Sequence, residues 1–101
     1  MTLTSGIELP ADGIADVCRR YGVRELAVFG SAARGDLGPE SDIDILVEFI
    51  PGTRIGLVKF ASLAEELTSL IGRNVDLVSK PGLKPWVRPE VLKEARLVYA
   101  A

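Results

Sequence analysis

Three aspartates are the residues of this sequence whose types and spacing could do chemistry. Asp42 and Asp44 lie one residue apart in the otherwise apolar run DIDILVEF. Because successive side chains of a strand point to opposite faces, the two carboxylates would project from the same face of a sheet. Asp76 lies within a later apolar segment, VDLV, and pairing of the two segments as neighbouring strands would bring it to the same place. Asp44 has an isoleucine on each side and would be costly to bury without a partner, so the sequence predicts a function for these acids.

Three carboxylates gathered at one place need a positive counter-charge. Residues two apart on a strand are separated by roughly 6.5 to 7 Å, so both side chains can converge on one or two ions, and without a cation their charges would repel. Magnesium takes hard oxygen ligands and is usually held by one or two carboxylates together with substrate phosphates. The pattern therefore favours a phosphoryl-transfer site with two metal ions. Taken singly, each acid could instead be structural: Asp42 could cap a turn after Ser41, and Asp76 could lie at a strand edge.

The pair Gly30–Ser31 ends a predicted strand and favours a phosphate-binding turn. A glycine lets the backbone approach a phosphate closely, and a short helix starting there would point its amide donors outward. The lysine of a Walker A loop is replaced by Asp36, and the sequence has no histidine to activate Ser31 as a nucleophile. The Ser31 hydroxyl is thus predicted to donate to a phosphate, with an ordinary turn as the alternative. Arg34 could contact a triphosphate or pair with Asp36 or Glu40 at the surface.

Alternating helical and strand patterns predict the elements that position these residues. The predicted order is a helix at 11–21 with Asp12 as its N-cap, a strand at 23–29, a structured loop at 30–41, a strand at 42–49, a helix between 53 and 71 with Leu57 on its inner face, a strand at 74–79, and a last helix from near Pro89 to Val98. Such alternation predicts a small α/β (α+β) domain with one mixed sheet of about three to four strands. Helices should cover mainly one face, and the carboxylates should line the other, partly open face.

Composition limits the classes of protein that fit. The chain has 101 residues, enough for one domain, which we assign to residues 11–101 after an N-terminal extension at 1–10. With 12 basic and 14 acidic residues the net charge is −2, which disfavours stand-alone binding to nucleic acid. Cys18 has no second cysteine and no histidine to join it, which suits a reducing compartment. Without a targeting or membrane-spanning pattern, a cytoplasmic protein is expected.

The stretch FGSAARGDLGPESDIDILVEF resembles the nucleotidyltransferase superfamily related to DNA polymerase beta. Its signature is Gly30–Ser31, ten intervening residues and Asp42-Ile43-Asp44, followed by Asp76 on a later strand. The chain is most similar to the minimal nucleotidyltransferase (MNT) domain, over nearly its whole length from the first helix onward. The resemblance implies that Asp42 and Asp44 hold two magnesium ions and that Asp76 completes the first metal site and helps to deprotonate the acceptor. It also implies that Gly30 and Ser31 hold the β and γ phosphates of ATP. Arg34 and Ser41 complete the predicted nucleotide-binding residues.

The same resemblance implies a partner protein. MNT proteins of this size are similar to one half of a toxin–antitoxin module whose other half, encoded by the adjacent gene, is an all-helical HEPN ribonuclease. The implied activity is transfer of AMP from ATP to a tyrosine hydroxyl of that toxin. Two alternatives remain open: an antitoxin that neutralises its partner by binding alone, and nucleotidyl transfer to a small hydroxylated molecule such as an aminoglycoside. A template-directed polymerase does not fit this length.

Overall fold

The computed structural model describes residues 1–3, 6–36 and 38–101. Within these residues, four strands and four α-helices follow one another. In order they are α1 (Ala11–Tyr21), β1 (Val23–Phe29), α2 (Ser31–Arg34), β2 (Ile43–Phe49), α3 (Leu57–Ile71), β3 (Val75–Ser79), a 3-10 turn (Lys80–Gly82), α4 (Arg88–Glu94) and β4 (Arg96–Ala100). Among the residues so described, no helix is long and apolar enough to cross a membrane.

The strands form one mixed sheet in the order β3-β2-β1-β4. β1 pairs antiparallel with both β2 and β4, whereas β2 and β3 run parallel. The parallel pair is possible because α3 returns the chain from the end of β2 to the start of β3. The predicted small mixed sheet is therefore confirmed, and β2, which carries the aspartate motif, lies inside it between two neighbours.

The main core lies between one face of the sheet and the helices α1 and α3. Alternate residues of β2, Ile43, Ile45 and Val47, point into this core and are buried, as the apolar pattern predicts. Leu63 of α3 meets them and is fully buried, which stabilises the fold by roughly 1.5–3 kcal/mol. Cys18 of α1 is buried in the same layer, and burial raises the pKa of its thiol to about 11. The charged side chains of β2 consequently face the other side of the sheet.

The first residues of the chain pack against this core. Leu3 and Leu9 come from the segment that sequence analysis assigned to an N-terminal extension, and only 4 % and 1 % of their surfaces are exposed. A bridge between Thr2 and Glu8 folds the segment back on itself. Their burial ties the start of the chain to the same hydrophobic layer as α1.

The second face of the sheet is only partly covered. α4 and the segment before it place Leu83 and Val91 against Leu46 of β2, and Phe29 and Val78 pack around them. This second cluster is small, because α4 has two turns whereas α1 and α3 together have about seven. The two longer helices thus cover one face, as predicted, and the second face keeps an open end.

The predicted continuation of the last helix to Val98 is wrong. α4 ends at Glu94, Ala95 adopts an extended conformation, and residues 96–100 form β4. The sequence KEARLV is compatible with a helix, but Leu26 and Val28 of β1 offer an unpaired edge, and β4 pairs with it. Tertiary strand pairing overrides a weak helical preference, as is common for short segments.

Two predictions about helix ends are also wrong. Asp12 lies in the first turn of α1, where its charge favours the helix dipole, while Pro10 occupies the N-cap position. Leu57 begins α3 and is 86 % exposed rather than buried. It precedes Leu63 by six residues, which is about 240° around the helix, so the two side chains cannot share a face.

Candidate active site

Two of the three predicted acids are direct neighbours in the sheet. The parallel register of β2 and β3 pairs Asp44 with Asp76, and adjacent strands lie about 4.8 Å apart. Asp44 shares its face with Leu46, so the acids lie on the face that α4 partly covers, at its open end. Asp42 lies just before β2 rather than within it. Asp44 is half-buried, whereas Asp42 and Asp76 are exposed.

The electrostatics of Asp44 indicate a local excess of negative charge. Burial raises the pKa of Asp44, and the neighbouring charge of Asp76 and a hydrogen bond between the two carboxyls raise it further. The charge of Asp42 acts in the same direction, and Arg34 opposes it weakly. A carboxylate whose pKa is raised by like charges is a position at which a cation would bind favourably.

We expect Asp44→Asn to stabilise the protein at neutral pH when divalent cations are removed. The pKa of Asp44 is higher in the folded than in the unfolded chain, so the folded state binds more protons between the two values. Stability therefore falls as the pH rises through that interval, and the charged form destabilises the fold above it. Thermal melting in EDTA should show a higher Tm for the variant at pH 7 and equal values below the ordinary pKa of aspartate.

The matched control is Asp36→Asn, because Asp36 is an exposed acid paired with Arg34. This substitution should leave the Tm unchanged or slightly lower. An Asp44→Asn variant that melts at or below the wild-type temperature at pH 7 would contradict the assignment of unbalanced charge at Asp44.

The glycine of the predicted phosphate-binding turn packs directly on Asp44. Gly30 follows β1, is buried, and has φ 68° and ψ −149°, a conformation essentially restricted to glycine. A Cβ at this position would overlap Oδ2 of Asp44. The one-turn helix α2 starts at the next residue, Ser31, which is half-buried. The structure therefore brings the Gly30–Ser31 turn and the acidic pair together.

A carboxylate that sequence analysis missed holds this turn. Glu94, the last residue of α4, accepts a hydrogen bond from the Gly30 amide, with an N to Oε1 distance of 3.0 Å. Its Oε2 lies 3.2 Å from Nη1 of Arg34, which also pairs with Asp36 at 3.4 Å. The hydrogen bond to Glu94 and the charge of Asp36 raise the pKa of Arg34. Of the two surface partners predicted for Arg34, the structure shows Asp36.

Ser41 takes part in a turn rather than pointing to the acidic pair. Its amide donates to the Gly38 carbonyl at 3.2 Å, and its hydroxyl accepts from the Gly38 amide at 3.3 Å. The side chain of Arg73 donates to the carbonyls of both residues. The observed role of Ser41 is therefore to close the turn before Asp42.

The acids fit a magnesium ion that arrives with phosphates better than a preformed metal cage. Within residues 1–3, 6–36 and 38–101, no three Asp, Glu, Cys or His side chains are arranged to hold a metal ion by themselves. Asp44 and Asp76 supply two adjacent hard oxygen donors, and burial together with the charges of Asp76 and Asp42 raises the pKa of Asp44. Since magnesium is usually held by one or two carboxylates plus substrate phosphates, this donor set suits it.

A pocket of about 900 Å³ lies away from the acidic pair. It is found at the opposite end of β2, and its apolar walls include Phe49, Ile50, Leu57 and Phe60. Its volume is typical of a small-molecule site. Neither the paired carboxylates nor the conformationally restricted Gly30 lines this pocket.

The mixed sheet, with paired acids beside a glycine–serine turn, is the arrangement that the resemblance to nucleotidyltransferases predicted. A family model described as a nucleotidyltransferase domain matches residues 13–99. The chain therefore belongs to the nucleotidyltransferase domain family, and it is an enzyme of the nucleotidyltransferase class.

The proteins that this chain resembles include a protein adenylyltransferase and proteins from toxin–antitoxin complexes. The protein adenylyltransferase MntA of Thermococcus cleftensis is 49 % identical over 77 residues, which covers 74 % of each chain. A solved structure of a toxin–antitoxin with AMP-PNP superposes with a TM-score of 0.74 at 23 % identity and covers 92 % of this chain and 75 % of that one. An MNT antitoxin solved with the tri-AMPylated HEPN toxin of Shewanella oneidensis gives a TM-score of 0.65 at 20 % identity, over 90 % and 70 %. At 23 % and 20 % identity, the likeness to these two structures shows a shared fold only.

Proposed function

We propose that this protein transfers AMP from ATP, with magnesium, to a tyrosine hydroxyl of a HEPN-type toxin and thereby acts as an antitoxin. The observation that carries the proposal is the pairing of Asp44 with Asp76 beside Gly30, because this arrangement gathers two hard oxygen donors next to a close-approach turn. The 49 % identity with a protein adenylyltransferase supports the choice of AMP as the group transferred. The lone buried Cys18 is consistent with the reducing cytoplasm as the compartment.

Each residue of the site has a distinct part in this reaction. Asp44 and Asp76, with Asp42 nearby, would hold the magnesium ions, which neutralise phosphate charge and favour ionisation of the acceptor hydroxyl. Gly30 lets the backbone approach the β and γ phosphates, and Ser31 donates its hydroxyl to them. Asp76 accepts the proton of the acceptor hydroxyl. The acceptor oxygen bonds to the α-phosphorus, the bond from that phosphorus to the β-phosphate oxygen breaks, and pyrophosphate leaves.

The remaining predicted residues contribute to the phosphate side of the site. Arg34 lies in the turn that begins at Gly30, and its guanidinium would meet the triphosphate when it exchanges Asp36 for a phosphate oxygen. Ser41 would assist through the turn that it closes before Asp42.

The exposure of the site supports a protein as the acceptor. Asp42 and Asp76 are exposed, and within the described chain no element closes over them. An open site suits an acceptor side chain presented by another folded protein, whose surface then excludes water. A small molecule such as an aminoglycoside would gain little burial here, since ligand sites usually enclose most of their ligand.

Label transfer tests the proposal directly. The protein is incubated with magnesium, the HEPN-type product of the adjacent gene, and ATP labelled with ³²P at either the α or the γ position. AMP transfer should label the partner from α-labelled ATP only, and a Tyr→Phe change at the labelled site should abolish the signal. Labelling from γ-labelled ATP would instead indicate phosphorylation and would overturn the proposal.

The control is the double variant Asp42→Ala plus Asp44→Ala, which should label nothing. Label transfer that survives this change would refute the assigned site. If the double variant still protects cells from the toxin while labelling is absent even for the unaltered protein, neutralisation by binding alone is the correct function.

A further inference from the structure

Arg73 joins the two segments that carry the acids. It lies between α3 and β3, three residues before Asp76, and its guanidinium reaches the loop that precedes β2. One nitrogen, Nη2, donates to two backbone carbonyls, that of Gly38 at 2.6 Å and that of Ser41 at 2.7 Å. These carbonyls belong to the first and last residues of one four-residue turn, so a single side chain fixes both ends of it.

The same segment holds Asp42 from both sides. On one side, the carbonyl of Ser41 accepts from Arg73, and on the other, the amide of Ile43 donates to the carbonyl of Asn74 at 2.9 Å. Asp42 itself is exposed and lies one residue before the point where the β2–β3 pairing starts at Ile43 and Val75. The bonds to residues 73 and 74 hold the backbone on either side of it.

The chemistry of Arg73 suits this task. Among the described residues its guanidinium forms no ion pair, and its charge-assisted bonds go to neutral carbonyls instead. Bonds of this kind are stronger than those between neutral groups, and the planar guanidinium loses little freedom when it binds two acceptors. Arg73 thus contributes rigidity to the turn rather than charge to a partner.

We propose that Arg73 is a positioning residue of the nucleotidyl-transfer site, which fixes Asp42 relative to Asp76 so that both can ligate the same metal centre. The inference rests on the proposed function for the role of the acids. It adds a residue that acts through the backbone carbonyls of Gly38 and Ser41. Residues 73 and 76 share one segment, and Arg73 binds the turn that precedes Asp42. Loss of these bonds would therefore let Asp42 move relative to Asp76.

The test is metal affinity in Arg73→Ala, Arg73→Lys and the control Arg20→Ala. Arg20 is matched because it is a surface arginine whose ion pair with Glu66 joins α1 and α3, on the face of the sheet opposite the acids. In AMP transfer, Arg73→Ala should raise the magnesium concentration for half-maximal rate about 10- to 100-fold, the usual effect of losing a group that orients a metal ligand. Arg73→Lys should be intermediate, and Arg20→Ala should match the unaltered protein.

A second readout requires no turnover. The dissociation constant for Mn²⁺ is measured by electron paramagnetic resonance with AMP-PNP present, and it should rise by a similar factor in Arg73→Ala and not in Arg20→Ala. If the protein binds Mn²⁺ but transfers no AMP, the proposed function fails and the Mn²⁺ comparison alone decides the role of Arg73. Unchanged metal affinity in Arg73→Ala would overturn the inference, and absence of Mn²⁺ binding to the unaltered protein would overturn both proposals.

Discussion

Replacing Asp76 by asparagine should reduce AMP transfer by roughly 10²- to 10⁴-fold, the range for loss of a general base. Asp76 lies opposite Asp44 in the parallel register. The side-chain amide of asparagine can neither take up the proton of the acceptor hydroxyl nor ligate magnesium as a carboxylate does. The fold should remain intact, because Asp76 is exposed and the replacement has the same shape. The measurement is kcat for AMP transfer to the partner, with thermal melting as a check on folding.

The control for this prediction is Glu65→Gln, an exposed acid on α3, which covers the face of the sheet opposite the acidic pair. It should retain nearly full activity. In Asp76→Asn, the pKa of Asp44 measured by NMR should also fall, since the charge of Asp76 raises it in the unaltered protein. An active Asp76→Asn variant with an unchanged pKa at Asp44 would remove the third acid from the site.

Gly30→Ala should abolish activity and destabilise the protein. Forcing alanine into the conformation of Gly30 costs about 1–3 kcal/mol, which lowers the Tm of a domain of this size by several degrees. The new methyl group would also displace the carboxylate of Asp44, since the Cβ position overlaps Oδ2. Activity should therefore fall further than the loss of stability alone explains.

Gly52→Ala separates these two effects. Gly52 also has a positive φ, 87°, but a Cβ there would have no neighbour within 4 Å. This variant should have a lower Tm and retain AMP transfer. Gly30→Ala should have a lower Tm and no AMP transfer. If the two variants lose activity equally at a temperature at which both are folded, the contact between Gly30 and Asp44 has no catalytic importance.

The acidic pair was predictable from sequence because its signal is local. Asp44 interrupts an apolar strand, Asp76 interrupts another, and a helical segment between the strands makes a parallel pairing the simple connection. Gly30 was singled out in the sequence because it ends a strand, but its positive φ and its contact with Asp44 became visible only in the structure. For these positions, side-chain alternation and chain connection decide the geometry.

The supporting residues were not predictable, since their partners are distant in the chain. Glu94 binds Gly30 across 64 residues, and Arg73 reaches Gly38 across 35, and each resembles an ordinary surface charge in the sequence. The strand β4 was missed for a related reason, because its stability comes from pairing with β1 rather than from its own residues. Local patterns do not encode such contacts.

The contact between Glu94 and Arg34 has a consequence for the order of binding. Arg34 lies in the helical turn that follows Gly30, and two carboxylates already balance its charge. Free ATP, a tetra-anion, would approach a surface that Asp42, Asp44 and Asp76 make negative. If the protein binds ATP as proposed, nucleotide and divalent ion should therefore enter together as one complex, and cellular magnesium, rather than ATP alone, would control how full the site is.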